Sequence, residues 1–216
     1  NNMKKYILAI AALLTVSTGF AQPAANARNI LDKAYSTYEN SNGIKMTFNI
    51  TTTDENGTAY QPQKGTARVK GNKFKIEMPT IDTWFDGKTQ WVLMKDLNEV
   101  NISHPSNEEI ASISPLALLS MYKTGFTLDT PASGIINGKN AFVINMSPTG
   151  SKSDFKKISV GIDKKTNSVL QVDITLKNGM RNKIDINDYN TNYNFTDTEF
   201  IFNKDQHKGV EVVDLR

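Results

Sequence analysis

The side chains able to do acid, base or metal chemistry are few in this chain and scattered along it. Its two histidines, His104 and His207, lie far apart and in no metal-binding spacing such as His-x-x-x-His. There is no cysteine, so a thiol nucleophile, a disulfide and a cysteine lipid-attachment site are all excluded. No phosphate-cradling glycine loop or Gly-x-Ser-x-Gly elbow occurs. His104 precedes Pro105 and is therefore expected in an extended connection. The acid pair Glu108 and Glu109 reads as helix capping, in a box where Ser106 and Glu109 satisfy each other's free backbone N–H groups. No acid, base and nucleophile set assembles, so the chain reads as a non-enzyme without metal or cofactor.

What remains is apolar. Phe85-Asp86-Gly87-Lys88-Thr89-Gln90-Trp91 sets a hairpin turn between two aromatic strand ends, shortly before an apolar helical run over residues 106–122. Ser114-Pro115 interrupts that run at a place where a Ser cap and a first-turn proline are compatible, predicting two short helices with a bend. The second, Leu116-Ala117-Leu118-Leu119, is apolar nearly all round, which implies contact on both sides or a ligand. A sheet wall beside a helical lid follows from this order.

The rest of the chain supplies the wall. Residues 24–39 place Ile30, Ala34 and Tyr38 on one stripe with Leu31 and Tyr35 beside it, predicting a helix that Asn42-Gly43 ends. Ile44, Met46, Phe48 and Ile50 then alternate with polar residues. The same period recurs at Ala67/Val69, Phe74/Ile76/Met78, Val100/Ile102, Phe142/Ile144/Met146, Ile158/Val160/Ile162, Leu170/Val172/Ile174/Leu176, Ile184/Ile186 and Phe200/Phe202. Asn56-Gly57, Asp86-Gly87, Asn137-Gly138 and Asn178-Gly179 stand between many of these as hairpin turns. The fold class predicted is mainly β: a strongly curved antiparallel sheet or partial barrel with short helices to cover its open side, which the resemblance given below sharpens to a half-barrel with lid helices.

Asn1 and Asn2 precede Met3 and are set aside. Lys4-Lys5, the apolar stretch from Tyr6 to Val16 and Gly19-Phe20-Ala21 read as an export signal cleaved after Ala21, too short for a membrane span of roughly 20 residues. Residues 22–216 are then expected to form one exported domain with no lipid anchor, which the resemblance drawn below would place in the periplasm. Losing Lys4 and Lys5 lowers the formal charge of +3 by two, and a near-neutral body argues against nucleic acid.

The aromatics and methionines could fill a solid core. A one-layer meander nevertheless has more inward positions than two short helices can cover, so part of that face should be hollow. The expected cavity wall is Phe48, Phe74, Ile76, Met78, Trp84, Trp91 and Leu93, with Ile113, Leu116 and Leu119 on the lid. Val92 and Met94 are apolar too, so alternation leaves the face of Trp91 and Leu93 open.

Asp86-Gly87-Lys88-Thr89-Gln90-Trp91, then Asn98-Glu99-Val100, then Ser114-Pro115-Leu116-Ala117-Leu118-Leu119, resembles the periplasmic outer-membrane lipoprotein carrier family, the LolA-like proteins. Phe200-Ile201-Phe202 and residues 209–214 look like that family's closing strand and tail. The resemblance implies an open half-barrel with a helical lid that ferries acylated lipoproteins from inner to outer membrane as a monomer. It further implies an inner-membrane ATP-driven releasing complex as donor and an outer-membrane receptor as acceptor. Where the family carries a lid-latching arginine before a proline, this chain has Gly71-Asn72, and Arg68 and Lys70 alternate onto the face opposite Ala67 and Val69. A periplasmic sensor or lipid-binding protein of the same fold, acting on a membrane regulator, is the alternative; hydrolysis or transfer on a lipid ranks last.

Overall fold

The computed structural model describes residues 23–216, less the side chains of residues 23–25, 112, 115 and 116. The export segment therefore lies outside the described residues. Helix α1 (Pro23–Glu39) leads into strands β1 (Ile44–Thr53), β2 (Gln63–Lys70), β3 (Lys73–Glu77), β4 (Ile81–Phe85), β5 (Gln90–Met94) and β6 (Glu99–Ser103). Helices α2 (Asn107–Ile113) and α3 (Pro115–Ser120) follow, with a 3-10 turn at Met121–Lys123. Strands β7 (Phe126–Leu128), β8 (Ala132–Ile136), β9 (Lys139–Pro148), β10 (Phe155–Asp163), β11 (Val169–Leu176) and β12 (Arg181–Asn190) come next, and β13 (Glu211–Asp214) closes the chain.

All the strands join one curved open sheet, in the order β13-β6-β5-β4-β3-β2-β1-β12-β11-β10-β9-β7, with β8 also on β9. The expected half-barrel with lid helices is the fold observed. Most neighbours are antiparallel and consecutive, because tight turns join them. Asn137 and Gly138, with φ of 50° and 76°, supply the two left-handed residues of the β8–β9 turn. Two pairings are long-range: β1 meets β12, which joins the halves of the meander, and β13 runs parallel to β6 at the edge.

Helix α1 buries Ala27, Ile30, Leu31, Ala34 and Tyr38 against one face of the sheet, the helix face. The stripe read in the sequence is the one buried. Met46, Phe48, Ala67, Ile76, Ile144, Ile158, Val172 and Ile184 complete that core, so α1 fills much of the interior. Gly65, paired with Phe48, has no side chain because a Cβ there would run into the Phe48 ring and the Met78 sulfur.

The opposite face carries a second, smaller core, and it corrects three expected positions. Cross-strand register places Lys75, Trp84, Trp91 and Ile102 in one row and Glu77, Asp82, Leu93 and Val100 in the next. Phe74 and Phe85 are partners on the helix face, so Trp84, one residue from Phe85, must point the other way. Trp84, Leu93 and Val100 are buried with Val210, and Trp91 and Phe202 pack on them. The Trp84 ring meets Phe202 edge-on at 5.3 Å, and His207 stacks on Phe202 at 4.7 Å. The C-terminal tail is thus the cover that turns an outward row of tryptophans into core. Phe200 and Phe202 form no strand: Phe200 ends a 3-10 turn (Asp197–Phe200) and is fully buried.

Candidate functional site

The lid helices form as their caps direct. Ser106 and Glu109 make the reciprocal capping box, and Ser114 caps α3 with Pro115 in its first turn. Hydrogen bonding to Ser106 holds the Glu109 carboxyl below its ordinary range. Ala111, Leu118 and Leu119 anchor the helices in the main core. The lid is tied to α1 by two further contacts. Tyr122, fully buried, donates its hydroxyl to the Asp32 carboxylate, and the Lys123 ammonium sits 3.7 Å from the centre of the Tyr35 ring. Burial, then the Asp32 carboxylate, push the Tyr122 phenol well above its ordinary pKa.

Beneath the lid lies a cleft of about 560 Å3, within the roughly 300–1,000 Å3 typical of small-molecule sites. Val69, Phe74 and Phe85 line it from the sheet, Ile110, Ala117 and Met121 from the lid, and Tyr35 and Tyr38 from α1. The Phe74 and Phe85 rings lie 5.2 Å apart and tilted by 31°, presenting an apolar surface. Tyr38 is held by accepting the Val169 N–H at 2.8 Å, so its ring is fixed as part of the wall. The hairpin tips at Gly71-Asn72 and Gly87, with Asn107, make a polar mouth. Glu39, Ser114, Ser120 and Thr124 line it as well, so the cleft sets an apolar patch among polar groups.

Of the expected residues with described side chains, Phe74 lines this cleft. Phe48, Ile76 and Met78 share the helix face but belong to the packed core or its margin. Ile113 and Leu119 also pack on that core, away from the cleft, and the side chain of Leu116 lies outside the described residues. Trp84, Trp91 and Leu93 are on the tail face. Val69 and Phe85 join the cleft through strand register, which alternation along a single strand does not define. A two-residue turn at Gly71-Asn72 pairs Lys70 with Lys73, which fixes Val69 beside Phe74 and hence Phe85 beyond it.

Gly71-Asn72, in the place of the family's arginine, sits at the cleft mouth, where a Cβ on Gly87 would approach the Asn72 amide nitrogen to 2.9 Å. Arg68 and Lys70 point to the tail face. Arg68 pairs with Glu77 and lies 3.6 Å from Glu199, while Lys70 donates to the Phe195 carbonyl at 2.8 Å. His104 lies 3.2 Å from the Lys88 carbonyl in an exposed turn. Among the described residues no three His, Asp or Glu side chains converge as metal ligands, and no helix is long and apolar enough to cross a membrane.

Solved structures share this fold at low identity. An uncharacterized conserved protein from Thermus thermophilus is 13% identical with a TM-score of 0.58, over 88% of this chain and 99% of its own. The lipoprotein LppX of Mycobacterium tuberculosis is 14% identical with a TM-score of 0.50, over 80% and 99%. A LolA superfamily protein from Nitrosomonas europaea is 12% identical with a TM-score of 0.46, over 82% and 97%. No curated protein matches the sequence. The family model for outer membrane lipoprotein carrier protein LolA matches residues 16–179, well over half of the chain, and with the curved sheet and lid in place the chain belongs to that family.

Proposed function

We propose that this protein is a periplasmic carrier that shelters acyl chains of lipoproteins beneath the α2–α3 lid and ferries them from inner to outer membrane. The observation that carries the reading is the cleft lined by Val69, Phe74 and Phe85 from the sheet and by Ile110, Ala117 and Met121 from the lid. Each buried CH2 contributes about 0.8 kcal/mol, so a fully enclosed long chain would be released slowly. With α1 filling much of the interior, burial is partial, and handover to a more apolar acceptor stays feasible. An inner-membrane ATP-driven complex would load the cleft and an outer-membrane receptor would empty it, with the carrier acting as a monomer.

The test is loading of purified protein with an acylated lipoprotein or a fluorescent fatty acid, beside Ala117→Trp, which fills the lid side of the cleft from a half-buried position. The variant should melt as the parent does and lose ligand. A parent that takes up neither ligand, or a folded variant that binds as the parent does, overturns the assignment.

A further inference from the structure

At one corner of the sheet an aliphatic side chain stands in water among cations. Ile135, near the tip of the β8–β9 hairpin, is 75% exposed. Lys139, just beyond the Asn137-Gly138 turn, is exposed as well. The loop between β10 and β11 lies alongside, because the Lys164 N–H donates to the Asn140 carbonyl at 3.0 Å. It adds the exposed Lys164 and Lys165. The Lys164 ammonium donates to the Ser133 hydroxyl at 2.7 Å and sits 4.7 Å from the centre of the Phe142 ring. Alternation puts Ser133 and Ile135 on one side of β8 and Ile136, paired with Lys139, on the other. The apolar tip therefore has a cation on either side.

One exposed aliphatic residue is ordinary on a protein surface, so the charge around it has to decide its meaning. Asp163, the carboxylate of this loop, is buried and accepts the loop's own Lys165 and Thr166 N–H groups, offsetting one positive charge without facing solvent. Leu97 and Leu215 on the far edge are exposed too. Asp96, Glu99 and Glu211 lie beside them, and Lys95 and Arg216 there are paired with Asp82 and Asp214. An anionic lipid surface attracts the lysine corner and admits its isoleucine, whereas it repels the acidic edge.

Position adds to chemistry. Antiparallel order places the turns at 71–72, 86–89 and 137–138 and the loop at 164–168 at one end of the sheet. The first two edge the cleft, and Tyr38, which lines it, accepts the Val169 N–H immediately after the loop. We propose that Ile135 with Lys139, Lys164 and Lys165 docks the protein on an anionic lipid bilayer, cleft mouth toward the membrane. The docking rests on this surface and stands apart from the acyl-chain assignment above. Each lysine near such a surface strengthens binding roughly fivefold, and salt weakens it.

The test is sedimentation of the processed chain, residues 22–216, with vesicles at low salt, so that the apolar export segment cannot contribute. Vesicles containing phosphatidylglycerol should carry the protein down, and vesicles of phosphatidylcholine alone should not. Lys139→Gln with Lys165→Gln should weaken binding by about twentyfold or more, Ile135→Ser should weaken it severalfold, and Leu97→Ser should leave it unchanged. Lys165→Gln alone, in an exposed loop, should still cost about fivefold should the double variant fold poorly. Failure to bind the anionic vesicles, equal binding to both kinds, lysine variants that bind as the parent does, or an equal loss from Leu97→Ser overturns the proposal.

Discussion

Tyr122→Phe isolates the contact that holds the lid to α1. The substitution keeps a fully buried ring, so no cavity forms and the packing is unchanged. What disappears is the hydroxyl donated to Asp32. Hydrogen bonds to charged groups contribute about 1.5–3 kcal/mol. Asp32 itself is exposed on α1, so water can take over at its carboxylate, and the loss should fall at or just below the lower end, about 1–1.5 kcal/mol. If the bond acts as a latch, that energy appears as a lid that detaches about tenfold more often. Amide hydrogen exchange reads this directly. Residues 107–123 should exchange about tenfold faster, while the amides of β10 and β11 slow or speed only with global stability. Urea denaturation should show the same 1–1.5 kcal/mol as an upper limit, to about that precision. A variant within about 0.3 kcal/mol of the parent, or one whose lid amides exchange no faster than the parent's, would refute the latch.

Other outcomes follow from the same geometry. Because Trp84 and Trp91 pack on the tail face, truncation before Asn203 should shift tryptophan emission to the red, whereas filling the cleft with a fatty acid should leave the emission unmoved. Ser114→Ala removes the side-chain cap at Ala117 N–H and should cost about 1 kcal/mol, seen as a lower denaturation midpoint with helix α3 exchanging first. Burial raises the phenols of Tyr38, Tyr122 and Tyr189 above the ordinary value of 10.0. The unfolded chain gives up these protons near that value while the folded chain keeps them, so their stabilisation is complete below about pH 10 and is lost as pH rises further. Phenolate absorbance should lag for these tyrosines until the far-ultraviolet dichroism collapses, and Tyr122→Phe should make the alkaline loss of stability shallower.

The sequence by itself determined what depends on neighbours along the chain. Alternation marked most strands, Ser106/Glu109 and Ser114-Pro115 marked both lid helices, and the Ile30/Ala34/Tyr38 stripe marked the buried side of α1, because period, capping and amphipathicity are local properties. Phe200 and Phe202 misled for the same reason: two apolar residues in period two also suit a tail laid across a sheet.

Only the tertiary structure decided which face of each strand was inside. Trp84, Trp91 and Leu93 look like cavity lining until the tail brings Phe202 and Val210 over them, and nothing adjacent in the chain announces that distant cover. The cleft was decided the same way. Val69, Phe85, Ala117 and Met121 come from four elements and converge through strand register and lid placement. A one-residue change of register would turn each strand over and exchange wall for exterior, so the site is a property of the assembled sheet.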